Sequence, residues 1–310
     1  MEDDNENAAL DEYLFRPHRR AELDAPAALD PGEETTVRAR DGAWLAATVH
    51  RGSKASAHRP AVVIASATGV RRGYYAPFAS FLASRGHDVV TFDYRGIGDS
   101  RRAARKPKMH DWGEQDLAGV VDWASVSLGA RRGTVDLVGH SVGGQIIGLL
   151  PEPQLARRIV MVAAQSGDYR LWPLPSRLAM AALWYGVVPS VTRAVGYLPG
   201  SLGIGEDLPP GVALEWAAWC RTPGYLVGGP GAPRRTGFTK LLAQVLAFDF
   251  DDDPYAPEAA VDALLSLYEN ASIERRHVSR AEVGAVGHFG FFRDRFRKGL
   301  WDDAARFLSR

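Results

Sequence analysis

VDLVGHSVGGQIIG, residues 135–148, joins a short apolar run to a helical one through Gly139-His140-Ser141-Val142-Gly143. Three of the first four residues are apolar, a nearly continuous run that suits a strand covered on both faces. A serine at the turn that follows is lifted out of the sheet in a strained backbone conformation. Only glycine on both flanks permits the close backbone approaches such a turn makes. The helix opening at Val142 points its first amides at whatever charge develops on the serine's target, so the Val142 amide is expected to act as one oxyanion donor.

Working outward, Ala61–Ser66, Val89–Phe92, Ile159–Ala163 and Val245–Phe248 are similar apolar runs. Helical patterns over Ala76–Ser84 and Trp112–Trp123 alternate with them, which predicts a doubly wound, mostly parallel sheet. Upstream, runs around Thr35–Arg40 and Trp44–His50 flank Asp41-Gly42 and read as an antiparallel hairpin. From about Gln165 to Lys240 no strand run occurs. Aromatic-rich helical pieces (Ser176–Tyr185, Val212–Trp219) take its place, and such a long insertion predicts a helical cap rather than a loop. The expected organisation is an N-terminal extension (1–32), a core (33–164), a cap (165–240) and the rest of the core (241–310), closed by a helix over Asp294–Leu308. Trp172 and Trp184 are the cap residues expected to line an acyl or aryl pocket.

A serine hydroxyl needs a base, and the base an orienting acid. In a strand–turn–helix site of this kind the acid and then the histidine follow the serine along the chain. Val245–Phe248 runs into Asp249-Phe-Asp-Asp-Asp253-Pro254, and His288 sits in Gly284-Ala-Val-Gly-His-Phe-Gly290 just ahead of the last helix. Of the eight histidines, His288 alone meets both the order and the loop requirement. Asp249, Asp251 and Asp253 have the alternate spacing that opens a calcium loop, but Pro254 and Ala260 stand where such a loop needs glycine and glutamate, so no metal site is expected. The acid is Asp253 or Asp252, with Asp249 and Asp251 behind them. A second oxyanion donor is expected from Ala67-Thr68-Gly69-Val70, with Val70 as the donating amide.

Composition excludes several other classes. In 310 residues, Lys+Arg and Asp+Glu both number 37, so no net field draws the chain to nucleic acid or an anionic surface. One cysteine, Cys220, rules out an internal disulfide. The acidic start MEDDNENAAL lacks a secretory core, and no stretch is expected to approach a membrane span, so the expected location is cytoplasmic. Gly96-Ile97-Gly98 would need a third glycine where Arg101 stands, which makes it a tight turn rather than a dinucleotide site. The basic run Arg101–Lys108 reads as a solvated loop.

Together these residues resemble the α/β-hydrolase superfamily over roughly residues 35–310. Several stretches look like a bacterial group of predicted hydrolases related to serine aminopeptidases and monoglyceride lipases. They are Ala67-Thr68-Gly69-Val70, Phe92-Asp-Tyr-Arg-Gly-Ile-Gly-Asp-Ser100, Gly139–Gln145, Ala163-Ala-Gln-Ser-Gly167, Gly205-Glu-Asp-Leu-Pro209 and Gly287-His-Phe-Gly-Phe-Phe292. The chain departs from many lipases at Thr68-Gly69, where they carry His-Gly. The resemblance implies an α/β-hydrolase fold and a Ser141–Asp253–His288 triad acting on a small or medium ester, thioester or amide without a cofactor. It favours Asp253 over Asp252, because related hydrolases often carry proline four residues after the acid, as Pro257 stands here. Two alternatives remain open: acyl transfer or C–C bond hydrolysis on the same triad, and a non-catalytic ligand-binding member of the fold. The partner expected is a small acyl substrate. Oligomeric state is not legible.

Overall fold

The structure is a computed structural model that describes residues 31–52, 59–129, 131, 133–203, 205–228 and 236–310. The expected N-terminal extension, save Pro31 and Gly32, lies outside the described residues, as do His18 and His58. Eight strands form one sheet: β1 (Glu33–Arg38), β2 (Trp44–His50), β3 (Ala61–Ala65), β4 (Val89–Phe92), β5 (Val135–His140), β6 (Ala156–Val162), β7 (Gln244–Phe250) and β8 (Ser272–Val278). Their order is β1-β2-β4-β3-β5-β6-β7-β8. β1 pairs antiparallel with β2, and β2 with β4; all other pairs are parallel.

The continuous apolar runs are buried on both faces because alternate side chains enter separate cores. Val63, Leu137, Ile159, Met161 and Val245 join one cluster, with the helix Ala118–Ser127 and the cap. Ile64, Val138, Val160, Val162 and Leu246 join the other, with the helix Ala76–Ser84 and the C-terminal helix. The chain leaves β3 toward β4 on one side and returns to β5 on the other. The sheet therefore has a switch point between β3 and β5, the place where open α/β sheets generally bind ligands, beyond the carboxyl ends of the strands.

Three features depart from expectation. β8 lies outside the apolar runs: Ser-Ile-Glu-Arg-Arg-His-Val is a polar, largely exposed edge strand. It is held by charge, with Arg275 and His277 both on Asp249 (2.8 and 2.6 Å). The closing helix is shorter than expected, Asp302–Ser309, since Lys298 and Gly299 leave helical geometry. The first cap helix is longer, running 20 residues from Ser176 to Val195. A π-helical stretch at Leu183–Val187 precedes Pro189 and accommodates its missing amide. That helix has the length and apolarity of a membrane span, which overturns the expectation that no segment approaches one. It lies between β6 and β7, with Trp184, Val188 and Pro189 turned inward. The second cap helix is Pro210–Arg221.

Candidate active site

β5 ends at His140, and Ser141 follows with φ 52° and ψ −117°, a left-handed conformation that an L-residue adopts only under constraint. The constraint is visible. The Ser141 amide donates to the Val162 carbonyl of the neighbouring strand at 2.9 Å. The glycines allow the elbow to close: a Cβ on Gly143 would lie 2.1 Å from the Ala65 carbonyl oxygen, and one on Gly139 would lie 2.6 Å from the Gly144 Cα. Both obstacles are backbone and cannot rotate away. Gly143→Ala is therefore expected to lower the thermal midpoint by several degrees, since overpacking costs about 1–3 kcal/mol. It should also depress labelling of Ser141 by a fluorophosphonate. Wild-type labelling and melting would show that the elbow is looser than described.

The Ser141 hydroxyl lies 2.9 Å from Nε2 of His288, and Nδ1 of His288 lies 2.8 Å from Oδ2 of Asp253. All three residues are buried, the Asp253 side chain completely. With Nδ1–H donating to the carboxylate, Nε2 is left bare to accept the serine proton. The aspartate run following β7 divides its work. Asp249 binds Arg275 and His277, and Asp251 accepts from the Ser279 hydroxyl (2.9 Å) and the Arg280 amide (2.8 Å). Asp252 accepts from the amides of Val286 (2.9 Å) and Gly287 (2.8 Å), so it grips the backbone of the histidine loop. Asp253 alone reaches the imidazole. Its second oxygen accepts from the Tyr255 amide at 2.9 Å.

Val142 begins the helix Val142–Ile146 and is buried beside the serine. The Val70 amide is not placed as expected. Gly69, at φ 67°, closes a four-residue turn in which the Val70 amide donates to the Ala67 carbonyl at 3.2 Å. The amide of Thr68, earlier in the turn and closer to the end of β3, donates no backbone hydrogen bond among the described residues. Trp172 stands beside the acid loop, its indole donating to the Pro254 carbonyl at 3.1 Å. Trp184 belongs to the cap interior, edge-on to Trp216 with ring centres 4.7 Å apart. Among the described residues no hydrogen bond or ring pair joins it to Ser141, Asp253 or His288.

Several residues around the site were not among the expected catalytic or oxyanion residues. Tyr225 donates to the Gln145 side chain and Tyr268 to the Gly144 carbonyl, both at 2.8 Å, and these bonds steady the elbow helix. Tyr255 packs its ring 5.3 Å from that of His288. His140, which occupies the elbow's variable position, bonds to both Tyr75 and the backbone of His288.

A model of the alpha/beta hydrolase family matches residues 61–297, well over half of the chain. Among solved structures the chain is similar to DcsB, determined in complex with its substrate analogue, at 15% identity and a TM-score of 0.64, over 89% of this chain and 98% of that one. It is similar to a hypothetical protein from Pseudomonas aeruginosa at 16% identity and a TM-score of 0.61, over 95% and 98%. A third likeness is to the enol-lactonase from Burkholderia xenovorans LB400, at 15% identity and a TM-score of 0.58, over 90% and 100%. At such identities the likeness to these structures is one of fold.

Proposed function

The chain belongs to the alpha/beta hydrolase family, and on that premise we propose that it is a serine hydrolase cleaving a small or medium ester, thioester or amide through an acyl-serine intermediate. The observation that carries the reading is the continuous line from Ser141 Oγ through His288 to Asp253, with both links below 3.0 Å. The hydroxyl attacks the acyl carbonyl as Nε2 of His288 takes its proton, and Asp253 stabilises the imidazolium that forms. The Val142 amide, and the Thr68 amide in place of Val70, receive the negative charge on the tetrahedral oxygen. His288 then returns the proton to the leaving group. Water, deprotonated by His288, releases the acid and regenerates Ser141. Each step uses only these groups, so no cofactor is required.

The assembled triad weighs against a purely ligand-binding role. Trp172 over the acid loop supports an apolar acyl subsite, and the single buried Cys220 suits a reducing, cytoplasmic setting. The test is a panel of p-nitrophenyl esters and acyl thioesters of graded chain length, run with and without added alcohol. Hydrolysis of at least one class with a chain-length optimum is expected, and Trp172→Ala should shift that optimum by about tenfold in relative kcat/KM. Alcohol-dependent ester formation exceeding hydrolysis would make the protein an acyltransferase. Failure of every ester, thioester and amide, together with no fluorophosphonate labelling, would sink the reading.

A further inference from the structure

Behind the triad, a second line of hydrogen bonds joins the loop after β3 to the histidine loop. The Ala67 amide donates to the Tyr75 hydroxyl at 2.8 Å, and that hydroxyl lies 2.9 Å from Nδ1 of His140. Nε2 of His140 lies 2.8 Å from the carbonyl oxygen of His288 itself. Tyr75 and His140 are fully buried.

The direction of each bond is determined by chemistry. A carbonyl only accepts, so Nε2 of His140 must carry a proton and donate it. Burial holds the His140 imidazole neutral, its pKa pushed down to about 3, and any positive charge gained by the neighbouring His288 would push it the same way. Nδ1 is then bare and accepts the Tyr75 proton, and the tyrosine oxygen is free to accept from Ala67. Each donor along the line then faces an acceptor. Protonating His140 would turn its Nδ1–H against the tyrosine and leave a buried hydroxyl proton without an acceptor.

Neighbouring contacts repeat the connection. Tyr74 donates to the carbonyl of Phe289, next to His288. Phe292 packs against both Tyr75 and His140, with ring centres 4.8 and 4.9 Å apart. The turn Arg72–Tyr75 is thus bonded to two consecutive carbonyls of the histidine loop, once directly and once through His140.

We propose that Tyr75 and His140 are positioning residues for the acyl-transfer reaction, a buried relay that sets the distance between the catalytic base and the oxyanion turn. The inference rests on the serine-hydrolase reading of the site. The base and the oxyanion donors act on two atoms bonded to the same tetrahedral carbon, yet they belong to loops after β3 and β8 that share no sheet hydrogen bond. A displacement of about 1 Å between such groups can reduce rate about 10²-fold. The relay ties the two loops through the residue immediately before the nucleophile.

The experiment compares Tyr75→Phe, His140→Gln, His140→Asn and Ser141→Ala on the best ester found for the wild type, with kcat, KM and thermal midpoint measured for each. Tyr75→Phe removes one oxygen and leaves the ring packing in place. It should lower kcat about 10- to 100-fold with KM within about threefold. A glutamine amide nitrogen falls where Nε2 of histidine lies, so His140→Gln keeps the donor to the His288 carbonyl. Asparagine reaches only the Nδ1 position and loses that donor. Glutamine should therefore rescue kcat relative to asparagine by about tenfold at similar thermal midpoints. Equal loss in the two variants, kcat falling only in step with stability, or Tyr75→Phe within twofold of wild type overturns the relay. If the His140 variants do not fold, Tyr75→Phe decides alone. Retained turnover in Ser141→Ala would instead refute the serine-hydrolase reading, so the two failures are distinguishable.

Discussion

Ser141→Ala is expected to reduce acyl turnover by about 10⁴-fold or more and to abolish labelling by a fluorophosphonate, with substrate affinity nearly unchanged. The size of the effect follows from what remains. Without the hydroxyl, His288 has no nucleophile to deprotonate, and the oxyanion amides can assist only the slower direct attack of water. The variant keeps the elbow's backbone, since alanine meets the same constraint at φ 52° that serine does. A thermal midpoint close to wild type is therefore expected, which separates loss of chemistry from loss of fold. Mass spectrometry of the labelled wild type should place the adduct on the peptide containing Ser141. Labelling that persists in the alanine variant would move the nucleophile elsewhere.

The second large effect distinguishes two adjacent aspartates. Asp253→Asn should cut kcat by about 10⁴-fold, because an amide nitrogen facing Nδ1 of His288 favours the tautomer with its proton on Nε2, which cannot accept from Ser141. Asp252→Asn should act differently. Asp252 receives two successive backbone amides from the histidine loop, and an asparagine can accept only one while its own N–H groups oppose the other. The loop is loosened but the tautomer is not altered, so a decrease of about tenfold in kcat with a lowered thermal midpoint is expected. The pH profiles of the two variants, measured on the same ester, supply the check. A larger loss in Asp252→Asn than in Asp253→Asn would transfer the orienting role to Asp252.

Both predictions concern features that the sequence revealed to different depths. The candidate nucleophile, the candidate base and the class of sheet were legible because each is a local pattern. An apolar run followed by Gly-His-Ser-Val-Gly and a helix has few other structural meanings, and His288 was separated from seven other histidines by chain order and loop context. The aspartate cluster was legible as a cluster only. Four carboxylates within five residues differ by the direction each leaves a turning backbone, and that direction depends on what β8 and the histidine loop place opposite them. β8 itself is missing from the apolar runs because an edge strand carrying Arg275, Arg276 and His277 shows no hydrophobic period.

The oxyanion turn shows the same boundary. Glycine at position 69 announced a turn, but whether the Val70 amide faced a substrate or its own turn carbonyl depended on the four-residue closure onto Ala67. His140 carries the same lesson further. At the variable position of the elbow its identity looked incidental, and its role exists only because folding brings Tyr75, 65 positions earlier, and the carbonyl of His288, 148 positions later, to its two nitrogens. By itself, then, the sequence determined the two-faced parallel sheet, the strained serine turn and the histidine that faces it. These follow from periodicity, glycine sterics and chain order, which act over a few residues. The choice among aspartates, the amide at the oxyanion turn and the buried relay were decided by the tertiary structure, because a hydrogen bond is satisfied by position in space and direction, neither of which spacing along the chain specifies.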